Sequence, residues 1–122
     1  MKLMRVRLEL ARNPGFPEGS AEHGYEFTAP LTADGHIDAQ GWRSPGARGK
    51  CAVRRFWKGE PDQEGELIHT RKREWAFSYA PGEDDDEAFA KLDRHVVKMG
   101  EYLTIREPDG RNFTFKVVEI EG

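Results

Sequence analysis

The stretch from Gly100 to Gly122 constrains the fold more than any other part of this chain. Glu101 to Arg106 and Arg111 to Glu121 flank Glu107-Pro108-Asp109-Gly110, a pattern that predicts a β-hairpin. Leu103 and Ile105 alternate with Tyr102, Thr104 and Arg106, the period of a half-buried strand. Pro108 presets the first central dihedral of the turn, and Gly110 accepts the positive φ of a type I turn with a G1 bulge. On the return strand Phe113, Phe115 and Val117 share one face, whereas Val118 and Ile120 fall on the other. A strand changes its apolar side where a sheet bends or bulges, as at a barrel corner.

Earlier segments carry the same period. Met4, Val6, Leu8 and Leu10 share one face of a first strand, Lys2 to Leu10. Pro14-Gly15-Phe16-Pro17-Glu18-Gly19 breaks regular structure, so Ala11 to His23 is expected as a surface loop pinned by Phe16. Tyr25 to Ala29 reads as a second strand that ends or reaches an edge at Pro30. Asp34-Gly35 should turn the chain into a short strand, His36-Ile37-Asp38, before an irregular segment from Gly41 to Lys50. Cys51 to Trp57 reads as the next strand, with Cys51, Val53 and Trp57 on one face and Ala52, Arg54 and Phe56 on the other. Gly59 to Gly65 is expected to be an acidic turn. Glu66 to Thr70 and Glu74 to Ala80 should then pair around Arg71-Lys72-Arg73.

Asp84 to Leu92 is the one helical candidate, with acids for its first turn and Phe89 three residues before Leu92. Arg94 to Met99 is expected to be a strand leading into Gly100. Many short strands and at most one short helix predict an all-β or β-dominated domain over residues 1–122. The changing face of the last strand favours a small closed or partly open barrel of antiparallel strands over a sandwich. SH3-like and OB-like barrels share this general form, which by itself fixes no function.

Charged residues make up 34% of the chain yet cancel to a net charge of -3, and since a free polyanion binder is usually basic overall, this argues against nucleic acid. A single cysteine, Cys51, excludes an intrachain disulfide and fits a reducing compartment. No apolar run has the length of a membrane span, and Met1 to Leu10 lacks a signal-peptide core. A cytoplasmic location without membrane contact is therefore expected.

The strongest local anomaly is Trp42 to Lys58. Arg43, Arg48, Lys50, Arg54, Arg55 and Lys58 occur there without an acid, among Trp42, Phe56 and Trp57. Cations meet phosphates or carboxylates while rings stack, so this stretch is the candidate binding face, with Arg71 and Arg73 as a second basic cluster. The competing reading is that Glu60, Asp62, Glu64 and Glu66 neutralise Arg54 and Arg55 across the sheet.

Other chemistry is weak. Ser44 to Lys50 fails as a phosphate loop, because Ser44 stands where the first glycine belongs and Cys51 where Ser or Thr belongs. Cys51 lacks a motif-linked base and is expected to be a small buried hydrophobe. His23 and His36 could meet near Asp34 or Asp38, but spacing alone does not make a zinc site. Asp84 to Glu87 lacks the alternating ligands and central glycine of a calcium loop. No motif implies a metal or cofactor, and none marks an enzyme.

The function expected is non-catalytic binding of an anionic partner, an acidic protein or a nucleic acid, through the basic-aromatic face. The alternative is a small-molecule-binding barrel or small enzyme with a pocket lined by Trp75, Phe77 and Tyr79 and polar groups from His36 and Cys51. A third reading is a structural subunit that pairs through an exposed edge such as the first strand.

Overall fold

The computed structural model describes residues 2–70, 72–79, 89–92 and 96–122. Eight strands form a closed antiparallel barrel in which each pairs with its neighbours in sequence and the last returns to the first. They are β1 (Leu3–Leu10), β2 (Ser20–Pro30), β3 (Ala52–Trp57), β4 (Glu60–His69), β5 (Trp75–Ser78), β6 (Phe89–Leu92), β7 (Tyr102–Arg106) and β8 (Asn112–Glu121). One short helix, α1 (Ala39–Arg43), lies between β2 and β3.

The final hairpin closes the barrel as its alternation predicts. Gly110 takes φ 91°, its N–H donates to the Glu107 carbonyl at 2.9 Å, and the Glu107 N–H donates to Arg111 O at 2.8 Å. Leu103 and Ile105 pair with Phe115 and Phe113, and all four are buried. Against β1, Leu8 faces Val117 but Arg7 faces Glu119, so Val118 is an extra, bulged residue. The bulge resets the alternation, and Ile120, now opposite Val6, packs against the core. The change of apolar face in the sequence is this bulge.

Tyr25, Phe27, Phe77 and Phe115 are the largest fully buried side chains and fill the interior with aromatic rings. Phe77 sits 5.1 Å from both Tyr25 and Phe27. Phe16 does pin the first loop, edge-on to His23 at 5.0 Å and to Trp57 at 6.3 Å. Closure leaves β1 bonded on both sides, to β2 and β8, so the third reading loses the first-strand edge it needs.

Several local expectations are corrected. The segment from Glu60 to Gly65 is strand, because Lys58-Gly59 alone make the turn and Arg54 stands opposite Glu64. Opposite charges facing across a pair favour extension there. β2 begins at Ser20, inside the expected loop. His36-Ile37-Asp38 makes only isolated bridges, Leu31 to Ile37 and His36 to Val96, because Asp38 is spent as an N-cap. Its carboxylate accepts from Gly41 N–H at 3.1 Å and starts α1, so helix precedes the irregular chain.

Phe89 to Leu92, expected to end a helix, is the strand that joins β5 to β7. Residues 84–88 of that candidate lie outside the described set. So short a helix has little intrinsic stability, whereas a strand there completes the ladder. Of the strand expected over Arg94 to Met99, residues 94–95 lie outside the described set, and Val96 forms a single bridge. Among the described residues, no helix is long and apolar enough to cross a membrane.

Candidate functional site

β3 separates its two adjacent arginines. Arg55 follows Val53 onto the inner face, where it is 5% exposed. Glu107, just past β7, continues the inward alternation of Leu103 and Ile105 and is equally buried. Arg55 Nη2 donates to Glu107 Oε1 at 2.9 Å, and Tyr25, opposite Arg55 on β2, donates its hydroxyl to Oε2 of the same carboxylate. Nη1 reaches the exposed Glu60 at 3.2 Å, and the guanidinium lies 4.2 Å from the Trp57 ring centre.

Burial opposes the Arg55 charge, but the charge and hydrogen bonds of Glu107 outweigh it and hold the guanidinium protonated. Burial also pushes the Tyr25 and Tyr79 phenols up, so both remain O–H donors. The Tyr79 hydroxyl is sealed from solvent close to that of Tyr25, and among the described residues it makes no well-formed hydrogen bond. In this cluster cation and anion cancel and both Glu107 oxygens are occupied. It ties β2, β3 and the β7–β8 turn together and leaves no charge over for a ligand.

Arg54 turns outward. It donates to Glu26 at 2.6 Å and Asp62 at 2.8 Å, while Arg7 donates to the other Glu26 oxygen at 2.7 Å and to Glu9 at 2.9 Å. Hydrogen bonding from Arg54 and then Arg7 holds the Glu26 carboxyl below its ordinary range, against the effect of burial. Phe56, though on the outer face, is buried beneath both guanidiniums, at 4.4 Å from Arg7 and 5.2 Å from Arg54. Gly24 makes room for it, since a Cβ there would meet the Phe56 ring at 2.8 Å and Leu8 O at 2.0 Å.

The remaining candidates gather at the other end of the barrel, where loops 31–51 and 70–74 emerge. The Trp42 indole N–H donates to Leu67 O at 2.9 Å, and its ring packs edge-on to Trp75 and His69, which stack at 4.1 Å. This anchors α1 over the end of β4. Between the following loop and β4 runs a groove of about 530 Å³, lined by Trp42, Arg43, Ala47, Arg48, Gly49, Cys51, Glu66, Leu67 and Ile68. That volume lies within the ~300–1,000 Å³ range of small-ligand clefts.

Arg43, Arg48 and Lys50 are exposed and make no ion pair among the described residues. Arg73, at φ 64°, and Lys72 are exposed in the 70–74 turn at the same end, but neither lines the groove. Arg71 lies outside the described residues.

Of the nine residues singled out in the sequence, the fold thus brings Trp42, Arg43 and Arg48 to one groove, with Lys50 beside it. Arg54, Arg55 and Trp57 are placed elsewhere. Trp57 packs at the far end of the barrel against His23 at 4.6 Å and Phe113 at 5.2 Å. Glu107 and Tyr25 were missed, and Glu66, expected to neutralise Arg54 or Arg55, instead stands opposite Ala52 and lines the groove. The first could have been found from its inward register after Ile105, and the second from the need of an inward Arg55 for a buried partner.

The alternative pocket residues are also dispersed. Phe77 is core, Trp75 belongs to the Trp42 cluster, and His36 pairs with Asp34 at 3.3 Å. Cys51 is buried beneath the groove, and burial, then the Glu66 charge, push its thiol up, away from reactivity. His23 lies at the start of β2 and His36 beyond its end, so the two histidines do not share a site. Among the described residues no three His, Cys, Asp or Glu side chains gather as a metal site.

Fold and surface together define a closed eight-stranded β-barrel with an internally neutralised ion pair at one end and an arginine-walled groove at the other. No family model, curated protein or solved structure matches the chain.

Proposed function

We propose that this chain is a non-catalytic interaction domain that binds an acidic polypeptide segment in the groove between the 42–51 loop and β4. The observation that carries this reading is the division of labour among the arginines. Arg54 and Arg55 are consumed by Glu26, Asp62, Glu60 and Glu107, whereas Arg43 and Arg48 line a groove and make no ion pair among the described residues. Exposed guanidiniums retain most of their hydration and reach a carboxylate at small desolvation cost.

The aromatic rings decide between the two anionic partners. Single-stranded nucleic acid needs ring faces on which bases stack. Here Trp42 is held by Leu67 O, Trp75 and His69, Phe56 lies beneath two guanidiniums, and Trp57 packs at the opposite barrel end. With its rings engaged, the basic face offers charge without a stacking platform, which suits carboxylates better than bases.

The test compares a glutamate-rich peptide with a single-stranded oligonucleotide of similar charge, by calorimetry at low and high salt. The expected result is salt-sensitive binding of the peptide and weaker binding of the oligonucleotide. Tighter binding of the oligonucleotide, or no binding of the peptide at low salt, overturns the proposal.

A further inference from the structure

The groove is not uniformly positive. Glu66 lies on its β4 wall, opposite Ala52 in the strand ladder, and is exposed. Like Arg43 and Arg48 across the groove, it makes no ion pair among the described residues. Its field still reaches the groove floor, where it acts on the Cys51 thiol. Arg43 at the end of α1, Arg48 on the loop after it and Glu66 on β4 therefore line the same groove without an ion pair between them.

Between these walls the apolar groups that stay partly exposed are Trp42 and Ile68, with Ala47 and Leu67 buried beneath them. Trp42 is fixed by its bond to Leu67 O. A uniformly acidic occupant would gain from Arg43 and Arg48 but would bring like charge against Glu66. An occupant with one acidic and one basic group would meet complementary charge on both walls.

From this charge pattern we infer that Glu66 is the specificity-determining residue of the groove, and that the segment it selects is of mixed charge. Acidic residues face Arg43 and Arg48, a lysine or arginine faces Glu66, and the stretch between them lies along Ile68. This rests on the proposed use of the groove for acidic segments and adds the rule by which such segments are distinguished. Glu66 works here as a counter-selecting charge, lowering affinity for plain polyanions.

Three fluorescently labelled peptides of equal length test the rule: all-glutamate, a glutamate block followed by a lysine block, and all-lysine. Each is titrated into the wild-type protein, Glu66→Gln and Arg43→Ala/Arg48→Ala. The wild type should bind the mixed peptide about twofold to fivefold more tightly than all-glutamate, the span of one exposed charge contact. Glu66→Gln should abolish or invert that preference, while the double arginine variant should weaken both acidic peptides. If all-glutamate binds as well as the mixed peptide and Glu66→Gln changes nothing, the selectivity rule fails while the acidic-segment reading stands. If the arginine variant binds both peptides undiminished, or no peptide binds the wild type, the underlying reading fails as well. Circular dichroism of each variant separates lost binding from lost folding, since all three positions are exposed.

Discussion

Arg55 and Glu107 meet at 2.9 Å inside the barrel, 52 positions apart in sequence, and join β3 to the turn that closes the last hairpin. Removing Arg55 strands a buried Glu107 carboxylate, and removing Glu107 leaves the buried guanidinium with only the exposed Glu60. Glu107→Ala and Arg55→Ala should each cost about 3–5 kcal/mol in a urea melt. Arg54→Ala, one position away, should cost about 1 kcal/mol or less, because that side chain is 38% exposed and its ion pairs are partly solvent-screened. Equal losses at the two arginines would contradict the separation of their roles.

The barrel interior makes a second contrast, within the final hairpin. Phe115 is fully buried beside Tyr25, whereas Phe113 lies nearer the barrel mouth, against Trp57. Phe115→Ala should cost about 3–5 kcal/mol, and Phe113→Ala should cost somewhat less, because Phe113 is 8% exposed and Phe115 fully buried. Denaturant midpoints compared at constant m-value check this order. A greater loss at Phe113 would place the core elsewhere.

The hairpin and the closure of the barrel were legible in the sequence because both are written in alternation. Leu103, Ile105, Phe113, Phe115 and Val117 state the face, and the switch at Val118 states the bulge. Phe89 to Leu92 misled because spacing over four residues barely separates helix from strand, and pairing with both neighbours decided it. The site was legible only as residue types. Arg43 and Arg55 look alike in sequence. The alternation of β3 and the position of Glu107, a turn residue until the turn is built, are what set them apart.

Burial lowers the His23 pKa. The ring is held by Ser20 at 2.7 Å, packs on Phe16 and Trp57, and lies within the fields of Glu22, Arg55, Lys58 and Glu60. A histidine whose folded pKa lies below its unfolded value of 6.5 favours the fold while neutral. Its contribution is therefore fully present above pH 6.5 and is lost as the pH falls through the depressed folded value. Urea melts of wild type and His23→Phe between neutral and mildly acidic pH should show a difference that narrows or reverses on acidification. A difference that stays constant would mean that His23 does not titrate on unfolding.

The central claim is that binding uses the groove beside Arg43 and Arg48 and leaves the arginine ladder on the outer face of β3 alone. Backbone and indole N–H shift mapping by NMR during titration with a glutamate-containing peptide tests this most directly. The account predicts shifts at the Trp42 indole, Arg43, Ala47 to Cys51 and Leu67, with Arg7, Glu26 and Arg54 unmoved. Shifts centred on Arg7, Glu26 and Arg54, with a silent Trp42 indole, would contradict it.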